Sequence, residues 1–343
     1  MLLIANYLFY IYWDYRFSFL LILITCVDFF VGKAIYSTSS IVQKRRYLLI
    51  SLFSLLGVLF FFKYFNFFVD SSIGMAKLFG VEYDFLHLNL LLPLGLSFYI
   101  FRSLTYTIDI YLEKAEPTGS IINYAVYLSF FPQLLSGPIE RASKLLPQIE
   151  SSQSPNKTQI QQGFALLTLG MLKKVLIGDA SGRMVDQIFA QPQYYTSSEM
   201  LMGLVLFSIQ IYADFSGYSD ISKGISKFMG FETMNNFNQP YLSRNITEFW
   251  RRWHISLSTW FNDYLFTPLN MNLRRLNKIG AIISIFTTFL LCGLWHGASW
   301  TFIFWGGLHG LLLSIHWMLF GKKGYQLIIN MMILSDFAIL LVR

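Results

Sequence analysis

Residues 280–300 read GAIISIFTTFLLCGLWHGASW. Fifteen or so almost wholly apolar positions lead into His296. A bilayer core takes about 20 apolar residues as helix, so this stretch predicts a membrane-crossing helix with an imidazole at membrane depth. An ionisable group there is costly, and by default marks a functional site. The bland alternative is a histidine that hydrogen-bonds between helices. Trp295 and Trp300 flank His296, and Gly293-x-x-x-Gly297 brackets it with the small-residue spacing that lets helices approach closely.

The whole chain has the same character. Of 343 residues, 55% are hydrophobic and only 13% charged, with 34 Phe, 20 Tyr and 8 Trp. Soluble domains carry about 25% charged residues. This composition excludes a soluble enzyme, a disordered chain and an ordinary nucleic-acid binder. The net charge of +7 sits between apolar runs, as at Lys44-Arg45-Arg46, Arg251-Arg252, Arg274-Arg275 and Lys322-Lys323. Such placement suits contact with anionic membrane lipid. Cys26 and Cys292 lie inside apolar runs and read as small buried residues.

Candidate spans are 2–12 with 15–32, 47–68, 86–112, 121–136, 163–178, 198–218, 280–297, 299–320 and 325–342. They predict an all-α, polytopic integral membrane protein with about nine or ten embedded helices in one domain over 1–343. The first apolar stretch lacks a basic n-region and a small-residue cleavage site, so the spans themselves are expected to drive insertion.

Residues 245–264, NITEFWRRWHISLSTWFNDY, read as an interfacial amphipathic helix. Asn245 and Glu248 form a capping-box-like start. At 100° per residue, Trp250, Trp253, His254, Leu257, Trp260, Phe261 and Tyr264 share one arc, and Glu248, Arg251, Arg252, Thr259, Asn262 and Asp263 fill the rest. His254 is either a packed histidine bonded to a carbonyl or an imidazole tuned by a desolvated groove.

Three further histidines follow other patterns. His309 in WGGLHG supports a site, whereas His316 and His87 read as structural or interfacial. His309 and His316 are seven apart, so haem ligation stays open on spacing alone. In YADFSGYSD (212–220), Asp214 either orients an imidazole or ties helices together; Asp109 is similar. FFPQLLSGPIER (130–141) reads as a broken helix whose Gln133, Ser136 and Glu140 could line a path. Broken helices with intramembrane Asp109, Asp214 and Asp220 also suit a transporter.

Five stretches, in this order, resemble the membrane-bound O-acyltransferase family, above all its bacterial branch of alginate, peptidoglycan and teichoic acid modification. They are LPLGLSFYIFRSLTYTIDIY (92–111), SFFPQLLSGPIER (129–141), YADFSGYSDISKGISKFMGF (212–231), FWRRWHISLSTWFNDYLFTPL (249–269) and GLWHGASWTFIFWGGLHG (293–310). The resemblance implies a multi-span helical body with a tunnel. It implies His296 as the catalytic histidine, His254 as the second family histidine, and His309 at a recurring position. Trp250, Trp253, Trp295, Asp214 and Asp263 would support substrate binding around them. No bound cofactor is implied; acetyl-CoA, or an acyl carrier protein thioester, would be the acyl donor. The implied activity moves acetyl across the bacterial cytoplasmic membrane for O-acetylation of an alginate-, peptidoglycan- or cellulose-like polysaccharide. A periplasmic or membrane-anchored acetyltransferase and the exopolysaccharide or cell-wall machinery would be its partners. D-alanyl transfer to teichoic acid is the alternative. Family members tend to be longer, so an N-terminal helix and C-terminal helices are expected to be missing from this chain.

Overall fold

A computed structural model describes all residues except 82, 84, 152, 153 and 321–343. The expected span over 325–342 therefore lies outside the described residues. Among these, every regular element is helical. Five helices are long and apolar enough to cross a membrane: Arg16–Ser37, Ile41–Leu78, Ser197–Phe228, Arg274–His296 and Trp300–Phe320. The chain is thus a helical membrane protein. The described residues pack as two compact units, one within Met1–Asn156 with Met229–Thr233, the other of Lys157–Phe228 with residues 234–320.

The first unit holds α1 (Leu2–Trp13), α2 (Arg16–Ser37), α3 (Ile41–Leu59), α4 (Phe65–Leu78), α5 (Leu96–Tyr111), α6 (Ile121–Ser129), α7 (Phe131–Leu134) and α8 (Ala142–Glu150). A π-turn at Phe60–Tyr64 joins α3 to α4. Ser40 and Ser120 cap α3 and α6, each accepting a backbone N–H three residues on. The expected helix over 86–112 begins only at Leu96. Pro93 supplies no N–H, and Gly95 takes φ +68°, which stops the helix from extending backwards. The break expected after Phe130 is present, and α7 is a single four-residue turn.

The core of this unit is aromatic, with Tyr106, Tyr124, Tyr127 and Phe130 buried against Phe29, Ile35 and Leu145. Polar groups tie its helices together. The Ser103 hydroxyl donates to Asp28 and meets the Tyr124 hydroxyl at 2.8 Å. Arg102 donates to Gln133 and to the Tyr127 carbonyl. Away from water, each such group needs an internal partner. Gln133 and Glu140 belong to this buried framework, and Asp109 is buried on α5.

The second unit holds α9 (Lys157–Met171), α10 (Asp179–Ala190), α11 (Ser197–Phe228), α12 (Ile246–Arg252), α13 (Ile255–Phe261), α14 (Thr267–Asn272), α15 (Asn277–His296) and α16 (Trp300–Phe320). A π-turn at Leu172–Gly178 carries α9 into α10. Close approach is built from glycine. A Cβ on Gly293 of α15 would strike the Phe302 carbonyl and come within 3.0 Å of the Gly306 Cα on α16. That contact sets the spacing of the two helices that bear His296 and His309.

Candidate active site

The site begins where the expected helix over 245–264 breaks. Asn245 caps α12 as predicted, its Oδ1 accepting the Glu248 N–H at 2.9 Å. The helix then stops at Arg252. Trp253 is extended, and His254 sits at φ +43°, ψ +55°, a left-handed conformation that costs a non-glycine residue of order 1 kcal/mol or more. The loop at 234–239 takes up the backbone groups that the break releases. The Asn236 carbonyl accepts the Ile255 N–H at 2.8 Å, and the Arg252 carbonyl accepts the Asn238 N–H at 2.9 Å. The Asn236 side chain accepts from the Ser256 N–H at 3.2 Å and the Ser256 hydroxyl at 2.9 Å. The predicted partition between faces survives the break. Trp250, Trp253, Leu257, Trp260 and Phe261 are buried, while Arg251, Thr259, Asn262 and Asp263 are exposed.

The kink drives the His254 ring inward to 2% exposure. Phe215 of α11 meets it edge-on, with ring centroids 4.6 Å apart. Its Nδ1 lies 3.1 Å from Asn236 Oδ1. That oxygen is fixed as an acceptor by the Ser256 N–H, so Nδ1 carries the proton and Nε2 the lone pair. Burial, followed by repulsion from His296, holds the His254 pKa well below the ordinary imidazole value. The ring is therefore neutral, and its Nε2 is an acceptor.

Trp295 links His254 to His296, with ring centroids 6.4 Å and 4.9 Å away respectively. His296 ends α15, is half-buried, and meets Trp305 at 5.1 Å. Trp305 in turn lies 4.7 Å from His309. His309 is fully buried on α16, with Trp250 edge-on at 5.2 Å and neither ring nitrogen partnered among the described residues. Three histidines from α12–α13, α15 and α16 are thus joined through tryptophan rings. Of these, His296 is the accessible one and His254 the buried, oriented one.

Other predicted residues fall elsewhere. Asp214 takes the helix-tying role, because Lys174 donates to it at 2.9 Å and to Asp179 at 2.6 Å. Asp263 is exposed on the π-turn at Asn262–Phe266 and accepts from Asn262, outside the ring cluster. Trp253 stacks on Phe249 and packs against Phe237 and Tyr241 as part of the scaffold. His316 contacts Thr247 at 3.0 Å, and His87 contacts Asp70 at 2.6 Å, both structural pairings. Sequence reasoning missed Asn236, Phe215 and Trp305. The signal for Asn236 was the run MNNFNQ (234–239), with four amide side chains in six residues before the motif.

These features define a helical membrane protein whose second unit gathers three histidines around tryptophan rings. The model of the membrane-bound O-acyltransferase family matches residues 9–321, and the chain belongs to that family. It is 40% identical over 316 residues to the probable alginate O-acetylase of Pseudomonas putida, covering 92% of this chain and 64% of the relative. It is 34% identical to the peptidoglycan O-acetyltransferase of Helicobacter pylori, covering 92% and 63%. With the teichoic acid D-alanyltransferase of Bacillus subtilis it shares 28% identity, over 66% of this chain and 60% of that one. The chain spans a little under two thirds of the length of these curated relatives.

Proposed function

We propose that the protein is a membrane O-acyltransferase that takes acetyl from a thioester donor and passes it on for O-acetylation of an exported polysaccharide. The observation that carries this reading is the histidine pair: a half-buried His296 separated by one indole from a buried, neutral His254. His296 acts as general base on an acceptor hydroxyl. The alkoxide oxygen attacks the thioester carbonyl, the C–O bond forms, the C–S bond breaks, and the departing thiolate takes the proton back. A positioned base of this kind contributes about 10² to 10⁴ in rate. His254 accepts a hydrogen bond or proton at Nε2, and His309 with Trp250 and Trp295 shapes the surrounding wall.

Relatives at 34–40% identity are named for O-acetylation of alginate and peptidoglycan, whereas the D-alanyltransferase match is more distant. That order favours acetyl over D-alanyl transfer. In this reading the shorter helices join the five long ones to make nine or ten embedded helices, in the cytoplasmic membrane of a bacterium. Acetyl-CoA is the donor, an acyl carrier thioester the runner-up, and a periplasmic or membrane-anchored acetyltransferase completes delivery. Deleting the gene and measuring ester-linked acetate on exported glycans tests the reading. Loss of acetate restored by the gene in trans is expected, and unchanged acetate would refute it.

A further inference from the structure

A groove of about 480 Å³ lies within the second unit, between the kinked α12–α13 pair and the membrane-crossing helices α15 and α16. Clefts of roughly 300–1,000 Å³ are the size that holds small ligands. Ile255 of α13, Ile285, Phe289 and Cys292 of α15, and Leu313 of α16 make its wall mostly apolar. Hydroxyls in the lining find partners within their own segments. Ser258 and Thr259 donate to the Trp253 and Ile255 carbonyls at 3.1 Å and 2.8 Å, and Thr288 donates to the Ser284 carbonyl at 2.7 Å. Such a wall offers dispersion contact to a hydrocarbon chain and would leave a polar chain unsatisfied.

Charge enters at one place. Arg251, exposed on α12, is the only charged side chain among the described lining residues, and the exposed Thr259 and Asn262 are polar lining residues as well. A guanidinium meets a phosphate through paired N–H donors. An apolar slot against two membrane spans, with a cation at its rim, is thus complementary to a phospholipid. A lone cation also favours a headgroup of net negative charge over a zwitterion, whose own ammonium opposes it. The groove shares a wall with the histidine cluster. Trp250 and Phe289 both line it, their rings lie 5.1 Å apart, and Trp250 meets His309 edge-on at 5.2 Å.

We propose that this groove holds one acyl chain of an anionic glycerophospholipid, with the lipid phosphate at Arg251. The lipid is a fixed ligand there and not a reactant. Its chain braces the Trp250–Phe289 wall from the side opposite His309.

Native mass spectrometry tests this, on the full chain released from nanodiscs of equal parts phosphatidylcholine and phosphatidylglycerol. The wild-type protein is expected to retain phosphatidylglycerol in preference to phosphatidylcholine, and to unfold at a higher temperature in the mixture than in phosphatidylcholine alone. Arg251→Gln, at an exposed position, should lower that preference by about fivefold, as loss of one cation near an anionic headgroup does, and should abolish the thermal shift. Ile285→Trp fills the groove and should reduce retention of both lipids. Equal retention of the two lipids by the wild-type protein would overturn the proposal. So would a preference that survives Arg251→Gln, or retention that a folded Ile285→Trp leaves unchanged.

Discussion

The Nδ1 of His254 and the Oδ1 of Asn236 lie 3.1 Å apart, and the same oxygen accepts the Ser256 N–H at 3.2 Å. One amide thus fixes both the kink that buries the ring and the tautomer that the ring adopts. A buried imidazole held this way presents Nε2 to the site as a base and not as an acid.

Replacing Asn236 tests that relationship. Asn236→Leu leaves the Ser256 N–H and the His254 Nδ1–H without their acceptor, at about 1–3 kcal/mol for each buried group. A lower thermal midpoint and loss of transfer are expected together. Asn236→Asp keeps the acceptor and adds a negative charge that favours the imidazolium. Besides His254 itself, the nearby titrating group is His296 of α15, whose effect opposes protonation. The acid limb of the pH–rate profile should therefore move to higher pH in Asn236→Asp. An unmoved limb would mean that His254 does not titrate in catalysis.

The same burial makes a stability prediction. The folded-state pKa of His254 lies below the ordinary value of about 6.5. Between the two values the unfolded chain binds a proton that the folded chain does not. The contribution to stability is therefore complete above about pH 6.5 and is lost as the pH falls below it. Thermal unfolding in detergent should show a midpoint that drops from about pH 7 to about pH 5, and His254→Gln should flatten that slope.

Helix spacing at the site depends on a glycine pair. In Gly293→Ala the new Cβ meets the Phe302 carbonyl and the Gly306 Cα, both backbone atoms that cannot swing away. Overpacking of this kind costs about 1–3 kcal/mol, and it moves Trp305 relative to His296. Both the thermal midpoint and the activity should fall. Gly307→Ala is the control, since its Cβ meets only the Leu290 and Phe286 side chains, at 3.6 Å and 3.9 Å. That variant should resemble wild type in both measurements.

The helix that carries His296 was legible because a long apolar run leads into that residue, and the structure ends a candidate span there. The burial of Trp250, Leu257 and Trp260 was legible from helical periodicity alone. The break at Trp253–His254 was not. A 100° step assumes continuous helix, and the groups that stabilise the break come from Asn236, eighteen residues upstream in a stretch without apolar period. Asp214 shows the same limit. Its position on α11 leaves both an imidazole and a cation possible, and Lys174, forty residues earlier, decides between them. Partners distant in sequence are set by packing, which a single-chain pattern does not encode.

The most direct measurement is ester-linked acetate on exported polysaccharide from cells carrying His296→Ala in place of the wild-type gene, with membrane levels of the two proteins matched. A base that contributes about 10² to 10⁴ in rate predicts acetate at the level of the deletion strain. Acetate at the wild-type level, with the variant inserted normally, would contradict the assignment of His296 as the catalytic base.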